Sequence, residues 1–264
     1  MRKALISVFV FLILLLSLGM FFKNKYVLPI LMYHMVFPEA EARYRPAVRD
    51  VTFSRQMKFL KTFRYNVIPL EEAVKLIREK KKVPPRTVVI TLDDGYRDNL
   101  VYALPILKKY NFPATIFIIV DEVEKNPQKL TWDDIKTMQD SGLIFFGSHC
   151  LGAEPLINIS SADEVKRQIF ESKRILEERL GREVKLFSYP EGMFNHKIRQ
   201  LVIDAGYSGA VATNPGKNYP SDDVFALKRL RISETAANLF VFSVLSSGYY
   251  TFMKESKRKK HGNK

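Results

Sequence analysis

The sequence predicts an α/β fold built on a parallel sheet that closes, or nearly closes, into a barrel. Three observations carry this expectation. Short apolar runs alternate with amphipathic segments about seven times, the pattern of strands joined by crossover helices. At 264 residues, 47% of them hydrophobic, the chain can bury one full core. His34, Asp93-Asp94, His149 and Pro190-Glu191-Gly192 each fall where a predicted strand stops, the end at which parallel barrels gather their chemistry.

The elements follow in order. Val27 to His34 is an apolar strand ending in a histidine, and Phe37 to Val51 mixes Pro, Glu and Arg without period and predicts a long loop. Phe53, Met57, Leu60 and Phe63 fall at helical spacing, Val67-Ile68 is a short strand, and Leu70, Ala73, Val74 and Ile77 mark a second helix. Val88 to Leu92 is a buried strand, followed by a helix carrying Leu100, Ala103, Leu104 and Leu107 and by a strand from Ala114 to Val120. Thr131 is an N-cap for a helix to Asp140, and Leu143 to Phe146 is the next strand. Ser161-Ala162-Asp163-Glu164 is a capping box that opens a long helix to Leu180, stopped by Gly181. A strand from Val184 to Tyr189, a helix from Asn195 to Ala205, strands at Tyr207 to Ala212 and Phe225 to Ile232, and a helix from about Thr235 complete the fold.

The first 25 residues stand apart. Arg2 and Lys3 precede an uncharged apolar run from Ala4 to Phe22, closed by Lys23 and Lys25. As a helix that run is about 28 Å long, enough to cross a bilayer core of about 30 Å. The reading is a signal anchor over residues 1–25, a barrel over 26–253 placed outside the cytoplasm at the periplasm or cell surface, and a basic tail over 254–264. The net charge of +14 is concentrated at the ends, which leaves +5 for the body. No basic groove interleaved with aromatics is visible, so nucleic acid is not an expected partner. Cys150 is the single cysteine, which excludes an internal disulfide and any Cys-x-x-Cys site.

Asp93-Asp94 carry the strongest chemical signal. Asp-Gly is ordinary turn chemistry, but here two neighbouring carboxylates end a buried strand, and their repulsion calls for a proton, a cation or strong donors. A divalent metal would take one acid as a ligand and leave the other free as a base.

Set in order, these segments resemble the polysaccharide deacetylase family, the NodB-like carbohydrate esterases of family 4. Thr91-Leu92-Asp93-Asp94-Gly95-Tyr96 is similar to the family's first motif, Thr-Phe-Asp-Asp-Gly-Tyr. Gly147-Ser148-His149 resembles the start of Ser-His-Thr-x-x-His, and Ser188-Tyr189-Pro190-Glu191-Gly192 resembles its Tyr-Pro-Tyr-Gly motif. Leu31-Met32-Tyr33-His34 resembles the opening of the exopolysaccharide branch. The resemblance spans roughly Leu28 to Ile232. It implies a distorted (β/α)7 barrel and removal of acetyl groups from N-acetylhexosamine units of a polysaccharide. It implies Asp93 as general base, His34 as general acid, and Asp94 and His149 as ligands of a divalent metal, with Zn²⁺ the ion suited to one oxygen and one nitrogen donor. Tyr96, Pro190, Glu191 and Gly192 would border the substrate.

The chain also departs from the pattern. Ala153 stands where the second motif's last histidine belongs, Ser188 where many relatives carry an arginine that orients the base, and Glu191 where a tyrosine is usual. Leu230-Arg231-Ile232 takes the place of a Leu-x-His motif. Glu154 is the nearest residue that could replace the lost ligand. These departures leave a second reading open, a weak or inactive relative that binds glycan.

Overall fold

Chain entry, barrel closure and the plug at one end all follow from where the apolar residues fall. The computed structural model describes residues 26–38, 46–213 and 222–251. In chain order the elements are β1 (Ile30–Tyr33), β2 (Val36–Phe37), β3 (Val48–Arg49), α1 (Asp50–Thr62), β4 (Asn66–Val67), α2 (Leu70–Arg78) and β5 (Thr87–Leu92). They continue with α3 (Leu104–Tyr110), β6 (Ala114–Ile118), α4 (Trp132–Asp140), β7 (Ile144–Ser148), α5 (Ala162–Leu180), β8 (Leu186–Ser188), α6 (His196–Asp204), β9 (Gly209–Ala212), β10 (Leu227–Arg231) and α7 (Leu239–Ser246).

Strands β1, β10, β9, β8, β7, β6 and β5 pair in that order, all parallel, and β5 pairs back onto β1 to close a seven-stranded barrel. β4 pairs with the first two residues of β5, just before β1 takes over that edge. The predicted barrel is therefore present and fully closed. Closure removes every exposed edge from the seven strands.

Side chains alternate across the barrel wall. On β5, Val88, Ile90 and Leu92 pack outward in the cluster beneath the helices, whereas Val89 joins an inner cluster with Ile30, Phe117, Leu186, Val211 and Leu227. Gly147 makes room for Phe117, since a Cβ there would lie 2.6 Å from the ring. The inner cluster also contains Ile68, Leu70, Ala73 and Val74. Helix α2 therefore plugs the end of the barrel where the strands begin, and a Cβ at Gly209 would meet Val74 at 2.8 Å. Inward residues one or two steps farther along the strands are polar, and they reach the opposite mouth.

Three sequence expectations are corrected. The loop expected over Phe37–Val51 holds β3, which pairs with β2, and helix α1 begins within it at Asp50. Phe63 does not share the buried face of Phe53, Met57 and Leu60: it is the C-cap of α1 and half exposed. The last helix starts at Leu239 with Asn238 as its cap, after a short 3-10 turn over Glu234–Ala237. Residues 1–25, expected as an anchor, and the basic tail 254–264 lie outside the described residues. Among the described residues no helix is long and apolar enough to cross a membrane.

Candidate active site

Three strands end on a sharp reversal, and each reversal brings a functional group to the mouth. After β5 the backbone is left-handed at both Asp94 (φ 72°) and Gly95 (φ 63°). In a regular strand Asp93 and Asp94 would face opposite sides of the wall. Breaking the pleat at Asp94 lets both carboxylates line one cleft. After β7, Cys150 (φ 66°) does the same, so His149 stays at the mouth while the Cys150 thiol is buried in the outer core, where burial pushes its pKa up. After β8, Glu191 (φ 54°) and Gly192 (φ 72°) turn the chain, and a Cβ at Gly192 would sit 2.4 Å from the Thr213 nitrogen. Left-handed non-glycine residues are uncommon, and these three break the pleat at the strand ends that form the mouth; of the others described, Arg64, Lys80, Arg86 and Asn111 lie in exposed turns at the opposite end.

The cleft encloses about 230 Å³ and is lined by His34, Asp93, Asp94, Ile119, His149, Ala153, Tyr189, Glu191 and Thr213. It brings together the two predicted catalytic residues, both predicted ligands and Glu191. Pro190 and Gly192 are not among the lining residues: Pro190 is buried and Gly192 packs on Thr213. Tyr96 also stands behind the cleft and not in its wall. Burial, followed by the nearby Asp94 charge, pushes the pKa of its hydroxyl up to about 12.

Asp93 is 2% exposed and is gripped by an arginine that the sequence analysis did not single out. Arg229, from β10, donates from both terminal nitrogens to the two carboxylate oxygens at 2.6 Å each, and a third bond runs to Ser188 Oγ at 2.9 Å. Burial alone would raise the Asp93 pKa. The Arg229 charge, the His149 ring and the Arg229 hydrogen bonds more than offset it and hold the carboxyl below its ordinary value. The guanidinium missing at position 188 is thus supplied from another strand, with the Ser188 hydroxyl as its partner. The available signal was the inward parity of Leu227 and Arg229: an arginine facing a barrel interior must find an acid.

His149 Nδ1–H donates to the Ser188 carbonyl at 2.7 Å, which leaves the Nε2 lone pair 3.4 Å from Asp94 Oδ1. An imidazole fixed through its far nitrogen beside a carboxylate is the arrangement of an oriented metal-ligand pair. The donor chemistry fits a divalent cation held from one side by two residues. Among the described residues no group of three or more His, Cys, Asp or Glu could hold a metal. Glu154 is exposed and is not part of the cleft wall, and Ala153 lines the place where a further donor would stand.

His34 reaches the cleft from the end of β1, with its backbone carbonyl accepting from Asn99 Nδ2 at 2.9 Å. Burial lowers its pKa; the Asp93 and Asp94 charges oppose this without reversing it. Lys129 is a further residue absent from the sequence reading. Its ammonium donates to the Asp94 carbonyl at 2.9 Å, pairs with Glu122 at 2.7 Å and lies 3.8 Å over the Tyr96 ring, so it secures the left-handed turn. His196 is exposed at the start of α6, and Trp132 packs on the core beneath Arg179, so neither joins the cleft.

A closed parallel seven-stranded barrel with paired acids and a histidine at its mouth defines the class: a NodB-type (β/α)7 fold. Comparison with known proteins carries this further. The polysaccharide deacetylase family model matches residues 80–210. Bacillus subtilis YxkH, whose name places it among the polysaccharide deacetylases, is 32% identical over 206 residues, covering 78% of this chain and 71% of that protein. The poly-beta-1,6-N-acetyl-D-glucosamine N-deacetylase of Staphylococcus aureus is 28% identical over 206 residues, covering 72% of this chain and 69% of that one. The Streptococcus pyogenes deacetylase PplD, solved in complex with acetate, superposes with a TM-score of 0.74 at 27% identity over 84% of this chain and 98% of its own. The chain belongs to the polysaccharide deacetylase family, hydrolases acting on amide bonds that generally use a divalent metal.

Proposed function

We propose that this chain is a metal-dependent deacetylase that removes N-acetyl groups from N-acetylhexosamine units of a cell-envelope or secreted glycan. The observation that carries the reading is the fixed His149–Asp94 pair beside the buried, arginine-held Asp93. The likeness to the staphylococcal enzyme supports a polymer of N-acetylglucosamine as the substrate. A cleft of about 230 Å³ is smaller than the usual ligand pocket of about 300–1,000 Å³, so it suits an acetamido group with its sugar ring outside.

Asp94 and His149 would hold the cation, with Zn²⁺ matching one oxygen and one nitrogen donor. Once bound, it would supply Lewis acidity to the amide carbonyl and to water. Asp93 takes the proton from the attacking water, since each of its oxygens keeps a lone pair after accepting from Arg229. Its lowered pKa makes it a ready donor of that proton in turn. His34, neutral at rest because it is buried, becomes an acid by taking up a proton inside the cleft and passes it to the leaving amine. Ile119, Tyr189 and Thr213 wall the cleft and limit the entry of further water.

Residues 1–25 support a membrane-anchored, extracytoplasmic placement, since the run from Ala4 to Phe22 carries no charge. Ala153 in the cleft wall favours a second reading, a glycan-binding relative of little or no activity. One experiment separates them. Zn²⁺ is titrated into metal-stripped protein by calorimetry, and acetate release from β-1,6-linked N-acetylglucosamine oligomers is measured alongside. One bound ion together with acetate release supports the enzyme. Oligomer binding without acetate release selects the second reading.

A further inference from the structure

The barrel's closed end differs in charge from its mouth. Parallel topology brings the C-terminal ends of the helices and the starts of the strands together there. The end of α1 and the turn to β4 carry Lys61 and Arg64, the α2–β5 loop carries three lysines at 80–82 and Arg86, and the last turn of α3 carries Lys108 and Lys109. Residues 61–65, 79–87 and 108–113 together hold eight basic residues and one acid, Glu79, which pairs with Lys81. These turns are neighbours: Arg86 donates to the Phe63 carbonyl and Lys61 to the Tyr110 carbonyl, both at 3.4 Å. The remaining acids at this end lie on other sectors: Glu71 and Glu72 at the start of α2, where Lys185 pairs with Glu71, and the acids at 140, 177–183, 204 and 222–223 around the turns into β7, β8, β9 and β10.

Apolar and aromatic groups punctuate the same face. Phe63 is 50% exposed, and Pro84 and Pro85 are exposed beside it in the loop to β5. The chain enters here. Tyr26 bonds the Thr87 carbonyl, its ring meets Tyr249 edge-on, and Val27 N–H donates to the Gly248 carbonyl at 2.8 Å. The described residues nearest the two ends of the chain, Tyr26–Val27 and Gly248–Tyr249, therefore meet at one place.

We propose that the basic sector of this end, the turns into β4, β5 and β6 beside the point of chain entry, rests on an anionic lipid surface, with the cleft turned away from it. Clustered lysines and arginines meet acidic headgroups, and tyrosines at the junction of an apolar span suit the interfacial layer. The inference rests on the anchored placement proposed above. It adds that the domain does not hang free from its anchor but sits on the bilayer by a defined face.

The test uses the full chain reconstituted into vesicles of phosphatidylcholine, with or without phosphatidylglycerol, containing brominated acyl chains that quench tryptophan. Trp132, the native tryptophan, begins α4 at the mouth end and reports on the face turned away. Phe63→Trp reports on the docked face. The expected result is loss of the Phe63→Trp emission in phosphatidylglycerol vesicles, reversed by high salt and by Lys80→Glu/Lys81→Glu/Lys82→Glu, with the native Trp132 emission unchanged. A substitution-free measurement runs in parallel: amide exchange over residues 61–65 and 79–87 should slow only on the anionic vesicles. If the chain floats with the vesicles but neither signal changes, docking is overturned and the anchor stands. If the chain does not associate with vesicles at all, both fall.

Discussion

At the mouth of the barrel, three strands stop on left-handed residues, an arginine and an aspartate are sealed together at 2.6 Å, and a histidine is aimed at a second acid. At the other end the strands begin on Thr87, Ala114 and Gly209, and the interior is closed by the aliphatic face of α2. The first region buries charge and aims polar groups into a cleft; the second closes the barrel interior with apolar side chains, and its own left-handed residues, Arg64, Lys80, Arg86 and Asn111, lie in exposed turns outside that core. The comparison shows how a barrel divides its work. A dry, well-packed half supplies rigidity, and the half above it uses that rigidity to hold buried charge and aimed donors.

The largest effect expected from breaking the mouth is on turnover. Asp93→Asn removes the proposed base, and acetate release should fall about 10²–10⁴-fold, the usual worth of a positioned general base. Arg229→Met leaves the Asp93 carboxylate buried without its partner. Urea denaturation should then show a loss of about 3–5 kcal/mol, and the double variant with Asp93→Asn should lose less than the two singles combined. At the plugged end, Leu70→Ala should cost about 2–5 kcal/mol of stability while leaving the turnover of folded enzyme unchanged. If turnover fell in step with stability, the division between the ends would be wrong.

Smaller effects sharpen the picture. Ala153→His should tighten Zn²⁺ binding by more than about tenfold, the least that even an outer-shell partner is commonly worth. Calorimetry on the two proteins reads this directly, and equal affinities would mean that position 153 does not face the bound ion. Asp98, behind the Tyr96 turn, is pushed to about 7 mainly by burial. A carboxyl whose folded pKa lies above its unfolded value of about 4 favours the folded state at low pH, and that contribution is lost as pH rises from about 4 to 7. Asp93 has the opposite sign: its contribution is present above its unfolded value and is lost as pH falls through its lowered folded one. Asp98→Asn should therefore raise the melting temperature more at pH 8 than at pH 5.

The barrel was legible because its signal is periodic. Every buried strand carries an apolar run, and parallel order follows from the helices between them. His34, Asp93 and His149 were legible for the same reason, since each is the polar residue that ends such a run. What escaped were contacts made across strands. Arg229 lies in β10, far in sequence from Asp93, and only closure of the sheet brings them together. Lys129 comes from a loop whose composition gives no hint that its ammonium reaches the Asp94 carbonyl. The helix pattern of Leu70, Ala73 and Val74 was correct, yet amphipathic spacing cannot say whether a helix covers the outside of a barrel or stops its end. Pro190 and Gly192 were read as bordering the substrate because they belong to the motif that holds Glu191, but the left-handed turn at Glu191 and Gly192 leaves only Glu191 of the three in the cleft wall.

The bond that fixes His149 comes from the main chain of the adjacent strand, at the Ser188 carbonyl. No substitution of the Ser188 side chain can delete that acceptor, which belongs to the pairing of β7 with β8. The aim of the imidazole is thus set by the sheet itself. A change at position 153 therefore alters what faces the imidazole without disturbing how the imidazole is held.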